Sequence, residues 1–297
     1  MIDILLLPFD YQFMINAMLI CTAVGIICAL LSSFLVLNNW SLIGDALSHA
    51  VVPGVAIAYW LSLPFIVGAF FSGIIAAFAM VFITKVSKLK EDVVIGFVFS
   101  SFFALGLLLI SIFPIDISIQ TIIMGTVYTI NQNEYVQIAI VFFLSLAIMV
   151  FLFKNLVTVI FDSGYAHAIG VSELKVKLLF FTILSAVIVI SLQAVGAILV
   201  IALLIIPGSC AYLLSDRIGM LAFIAMLTGG LSAFFGSYFS FFLNVSAGPV
   251  IVLIQGLIFV LCFIFAPKHG LLNKLIRRRK KIGTYHPKSY LGEKHTL

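Results

Sequence analysis

Long apolar runs dominate the chain, and short polar or charged breaks separate them. A hydrocarbon layer about 30 Å thick takes about 20 apolar residues of α-helix to cross. Runs of that length predict spans near residues 13–36, 41–60, 63–83, 93–113, 135–153, 178–196, 197–215, 218–243 and 249–266. Only Gln193 and Gly196 mark the division between the sixth and the seventh. The chain therefore reads as all-α, a polytopic transmembrane helical bundle of about nine spans. Residues 1–267 form one transmembrane domain in this reading, and 268–297 a basic tail. Two breaks are unusual. Within 114–134, the part Ile117–Tyr128 is too apolar for open solvent and too short to span, which suits a short helix in the interface or re-entering the protein. The segment 154–177 reads as a loop longer than most helix connections, and loops of that length tend to have a function.

Composition agrees: 64% of the 297 residues are hydrophobic and 9% charged, against about 45–50% and 25% in soluble domains. A soluble enzyme and a disordered chain are both excluded. The net charge of +5 hides an asymmetry. The tail 268–297 holds nine of the sixteen Lys and Arg against one acid, Glu293, for +8; the body holds seven against ten acids, for −3. With nine spans, all sixteen cations fall on one face. The segments assigned to the other face (1–12, 61–62, 114–134, 193–196 and 244–248) hold none. The positive-inside rule makes the basic face cytoplasmic, with the amino terminus outside and the carboxyl terminus inside. The run Arg277–Lys281 then suits the inner surface of a lipid membrane better than nucleic acid. Cys21, Cys28, Cys210 and Cys262 lie in apolar stretches without a Cys-x-x-Cys, so neither a disulfide framework nor structural zinc is expected. The first ten residues carry two acids and no cation, so no signal peptide is read and the first span is expected to stay in the mature chain.

Ionisable groups are expensive in a membrane and mark function by default. Asp45 and His49 qualify, in the string SLIGDALSHAVVPGVA. Four residues apart, they share one helix face. A carboxylate and an imidazole can ligate a divalent first-row metal, and equally can form a buried hydrogen bond that only fixes packing. Pro53 and Gly54 follow, a helix-bending pair that lines cavities in some transporters. Pro207, Gly208 and Ser209 predict a second interruption, in the seventh span; Ser209 and Cys210 are weak candidate ligands there, or small residues for tight packing. No phosphate-binding G-x-x-x-x-G-K-[ST] loop occurs, so any ATP must be bound by another chain. In the loop, Asp162 or Ser163 can cap a short helix through Tyr165, Ala166, His167 and Ala168, and Gly170 can end it. Such a helix suits docking into a partner's groove, or packing along its own bundle. His167 alone is no metal site. A self-contained proton-coupled transporter using Asp45 is the alternative, weakened by the scarcity of other carboxylates in the spans. One Asp–His pair without an activated nucleophile argues against an intramembrane enzyme.

Four strings carry a resemblance: Gly44–Ala56, Glu91–Leu109, the FDSGYAHAIGV stretch from Phe161 to Val171, and Ala202–Ala211. In that order they resemble the membrane permease subunits of ATP-binding-cassette importers for manganese, zinc and iron. The likeness runs from about residue 8 to 267 and leaves out the tail. It implies a type II importer-like permease domain in a bacterial cytoplasmic membrane. It implies two permease subunits, identical or paralogous, an ATP-binding subunit dimer, and an extracytoplasmic metal-binding protein. It implies no permanently bound cofactor, the divalent metal being cargo. It also implies a pathway role for Asp45 and His49, and transmission of the ATPase stroke through Asp162–Gly170. Val52 and Gly208–Cys210 depart from the family's commoner Leu and more Ala/Thr-like run.

Overall fold

The computed structural model describes residues 6–112, 132–267 and 270–271. After a 3₁₀ turn at Leu7–Asp10, the helices are α1 Gln12–Leu37, α2 Ser41–Ala50, α3 Val52–Trp60, α4 Phe65–Val86, α5 Glu91–Ile112, α6 Gln132–Phe161, α7 Ser163–Ala168, α8 Glu173–Val195, α9 Ala197–Leu214, α10 Ile218–Leu243 and α11 Ala247–Phe265. With α2 and α3 counted as one crossing, nine stretches among the described residues are long and apolar enough to span a membrane. The predicted spans and these helices coincide to within a few residues at most ends. The 117–128 helix lies outside the described residues, and so does the tail except Gly270 and Leu271.

Three local features differ from the sequence reading. The second span is two helices, parted at Val51. The segment 154–177 is mostly helical rather than loop: α6 runs on to Phe161, since the apolar pattern continues through Leu156-Val157-Thr158-Val159-Ile160, and α8 already begins at Glu173. The interruption expected at Pro207 is missing, because α9 is continuous from Ala197 to Leu214. The division at Gly196 is present. Its φ of +82° is backbone that a side chain would strain, and it caps the end of one helix and the start of the next.

Helix ends are closed by local bonds, as a low-dielectric surround requires. After α1, Asn39 takes a left-handed φ of 59°, and the Trp40 N–H donates to the Leu35 carbonyl at 2.7 Å. Asn244 closes α10 in the same way, with the Val245 N–H on the Ser240 carbonyl at 3.2 Å.

The bundle is layered around α1. Buried residues make up 72% of its most apolar window, against 22% for α5, α6 and α11 on the outside. Without a hydrophobic drive between helices in lipid, close approach rests on small residues. Gly25 and Ala29 of α1 meet Gly229 and Ala233 of α10. A Cβ on Gly25 would lie 2.7 Å from the Gly229 carbonyl oxygen and 2.9 Å from the Ala233 Cβ. Gly54 and Ala58 of α3 meet Gly68 and Ser72 of α4 in the same small-x-x-x-small pattern, backbone against backbone.

A leucine at Gly229 is therefore expected to lower the thermal unfolding midpoint of the detergent-purified protein, overpacking costing about 1–3 kcal/mol. Leucine at Gly256, where nothing lies within 4 Å of an added Cβ, is expected to leave it unchanged.

Candidate functional site

Asp45 is the fifth residue of α2 and His49 the ninth. At 1.5 Å per residue they lie about 6 and 12 Å along the axis from the helix start. His49 Nε2 stands 3.5 Å from Asp45 Oδ1, and the side chains are 35% and 42% exposed. That separation is long for a well-made hydrogen bond, so the two groups are not locked to each other. Phe99 and Phe103 of α5 pack T-shaped against His49, with ring centroids at 5.6 and 5.4 Å. The two rings stack on each other, 5.9 Å apart. They flank the imidazole, while the Asp45 side chain keeps its 42% exposure. Among the described residues no cluster of three or more His, Cys, Asp and Glu could hold a metal ion. The chain thus brings two donors and an open face.

The helix break lies just beyond. Pro53 has no N–H to give the His49 carbonyl four residues back. α2 ends at Ala50, and Ser72 of α4 donates its hydroxyl to the Ala50 carbonyl at 2.7 Å. Pro53 and Gly54 are buried, Gly54 at the contact with Gly68. These two residues set where α2 stops, and so where His49 sits.

Pro207, Gly208, Ser209 and Cys210 sit in unbroken helix. The Gly208 N–H donates to Ser32 Oγ of α1 at 3.0 Å, which turns that amide toward a neighbouring helix instead of breaking α9. Ser209 bonds the Ile205 carbonyl of its own helix at 2.8 Å. Cys210 is 1% exposed. Pro207 and Gly208 are buried, and Gly208 packs on α1, while the Asp45–His49 face looks toward α5.

α7 has the predicted caps. Asp162 Oδ1 accepts from the Tyr165 N–H at 2.8 Å. At the other end Gly170 takes a φ of +81°; its N–H bonds the His167 carbonyl, and the Val171 N–H bonds the Ala166 carbonyl at 2.9 Å. Tyr165, His167, Ala168 and Gly170 are exposed, and Ala166 alone of the short helix is buried in the core. Residues that the sequence reading passed over surround this region. A cavity of about 620 Å³ opens beside α7, lined by Trp40, Lys85, Glu91, His167, Glu173 and Lys177 among others. Trp40 Nε1 donates to Glu91 at 2.9 Å, and Lys177 Nζ lies 5.3 Å from the Trp40 ring centre. The available signals were Trp40 just ahead of the Asp-Ala-Leu-Ser-His string and Glu91 opening the second matching string.

Residues 10–266 match the ABC 3 transport family. The chain is 51% identical over 274 residues, 92% of its length and 97% of the relative's, to a "Probable iron transport system membrane protein" of Haemophilus influenzae. It is 42% identical over 275 residues, 92% of its length and 89% of the relative's, to "Manganese transport system membrane protein MntB" of Synechocystis sp.. Its fold is similar to a solved structure titled "PsaBC from Streptococcus pneumoniae in complex with Fab", with a TM-score of 0.81 and 33% identity over 93% of this chain and 100% of that one. The chain belongs to the ABC 3 transport family. It is a multi-pass membrane permease subunit of a bacterial ABC transport system, and ATP hydrolysis resides on another chain. That sets aside both the proton-coupled reading of Asp45 and the intramembrane enzyme.

Alanine at Ser72 is expected to cost about 1–3 kcal/mol by orphaning the buried Ala50 carbonyl, read as a lower thermal midpoint. Ser209→Ala, whose hydroxyl bonds only its own helix, is expected to leave that midpoint in place.

Proposed function

We propose that this chain lines half of the membrane pathway of an importer for a divalent first-row metal, iron or manganese before zinc. The observation that carries the reading is the Asp45–His49 pair, an oxygen and a nitrogen donor half-open on one helix face. Such donors suit Fe(II) and Mn(II), the metals that the names of its relatives carry. The ion is cargo and binds transiently, because conduction requires release as well as entry. No permanent cofactor is needed.

Two donors hold a cation weakly. A second permease subunit, the same chain or a paralogue, completes the site across the open face. The end of the bundle with Lys85, Lys88, Lys90, Lys175, Lys177 and Arg217 faces the cytoplasm by the positive-inside rule. The amino terminus is then outside and the carboxyl terminus inside. An ATP-binding subunit dimer docks on the cytoplasmic end, and the exposed residues Tyr165, His167, Ala168 and Gly170 of the α7 segment are the contact. Asp162 acts there by capping the helix. An extracytoplasmic metal-binding protein delivers the ion to the opposite end. Pro53 and Gly54 border the pathway through the helix break.

Uptake of radiolabelled Mn or Fe tests the site in cells that carry the whole transporter. Asp45→Asn and His49→Ala are each expected to lower uptake at least about tenfold at unchanged protein level; normal uptake in both overturns the site. Ala168→Glu is expected to stop the ATPase subunit from co-purifying while the chain keeps its thermal midpoint. The same change at buried Ala166 is expected to lower the midpoint itself.

A further inference from the structure

The transport reading leaves unexplained a polar cluster at the Lys-bearing end of the bundle. Trp40 is the residue ahead of α2, and its carbonyl accepts the Ile43 N–H at 2.9 Å, within the first turn of the helix that carries Asp45 and His49. Its indole N–H donates to Glu91, the first residue of α5, at 2.9 Å. α5 is the helix that carries Phe99 and Phe103 against His49. The indole face takes the Lys177 ammonium at 5.3 Å, and Lys177 is itself paired to Glu173, the first residue of α8, at 2.7 Å. Phe181 of α8 packs on the same indole, with ring centres 5.1 Å apart. Trp40 thus fastens the amino-terminal parts of three helices at one point, and it is 5% exposed.

One of those helices leads directly from α7. Only Ile169–Ser172 separates α7 from α8, and the Gly170 turn ties that link back onto α7. Side chains of the cluster also border the cavity of about 620 Å³. They therefore have open space on one side, unlike the small-residue contacts of α1 with α10.

We infer that Trp40 is a positioning residue that passes a displacement of α7, through Lys177 and α8, to α2 and α5 and so to the groups around His49. The inference rests on the reading of α7 as the ATPase contact. A push on α7 moves the first turn of α8. The cation over the indole and the Trp40–Glu91 hydrogen bond carry that movement to both helices that frame the candidate site. A structural role alone would hold the same three helices together without affecting the ratio of transport to hydrolysis.

The test uses the complete transporter reconstituted in lipid vesicles, with Mn(II) as probe and ATP hydrolysis and metal uptake measured together. Trp40→Phe keeps a ring for Lys177 and removes the indole N–H. Lys177→Met removes the cation and keeps the stem. In both, the ATPase subunit is expected to stay bound and hydrolysis to persist. Metal moved per ATP is expected to fall about fivefold, the factor that one lost hydrogen bond or cation–π contact is worth. Lys177→Arg keeps a cation over the ring and is expected to restore the ratio. An unchanged ratio in Trp40→Phe and Lys177→Met overturns the inference. So does a proportional loss of hydrolysis and uptake with a lowered thermal midpoint, which marks a purely structural cluster. ATP-independent uptake by the unaltered transporter instead overturns the underlying reading of α7.

Discussion

A backbone carbonyl in hydrocarbon needs a donor, and the architecture around Asp45 and His49 follows from how that need is met. Pro53 withholds the amide that would continue the second span. The span divides at Val51, and Ser72 of the next helix covers the Ala50 carbonyl at 2.7 Å. That cover requires α4 to come very close to α3, and the Gly54–Gly68 contact permits it. The break fixes the end of α2, and the end of α2 fixes where the histidine stands relative to the phenylalanines of α5. Pro207 likewise withholds an amide in α9, yet that helix carries on unbroken, with the neighbouring Gly208 N–H donating to Ser32 Oγ of α1.

Charge is arranged with similar economy. Among the described residues Lys85 and Lys177 line the cavity beside α7, while the Asp45–His49 pair stands on α2 with His49 against α5. A carboxylate and an imidazole suit a divalent cation. The pair is bounded on one flank by the Phe99–Phe103 stack, and its side chains stay partly exposed. The Trp40 cluster borders that cavity and also touches α5, the helix packed against His49.

Local rules made much of this legible in the sequence. Apolar length alone places the nine crossings, Gly196 parts α8 from α9, and Asp162 and Gly170 bound α7, because each is a short-range effect. The i, i+4 spacing of Asp45 and His49 likewise fixes their common face. What stayed hidden depends on partners far along the chain. Ser32 and Gly208 are 176 positions apart, and Trp40 and Glu91 are 51 apart. No local pattern announces either bond. Ala166 looked equivalent to Ala168 until packing buried one and exposed the other. Lys154 interrupts the apolar run of the fifth span, yet α6 continues to Phe161, because helix and membrane need not end together.

The central claim is that the pair on α2 touches the ion in transit. X-ray absorption by metal trapped in the complete transporter, with and without His49, tests it most directly. The account expects a shell of oxygen and nitrogen neighbours with the multiple-scattering signature of imidazole, and expects that signature to weaken in His49→Ala. A sulfur shell, or an imidazole signature unchanged by the loss of His49, would contradict it.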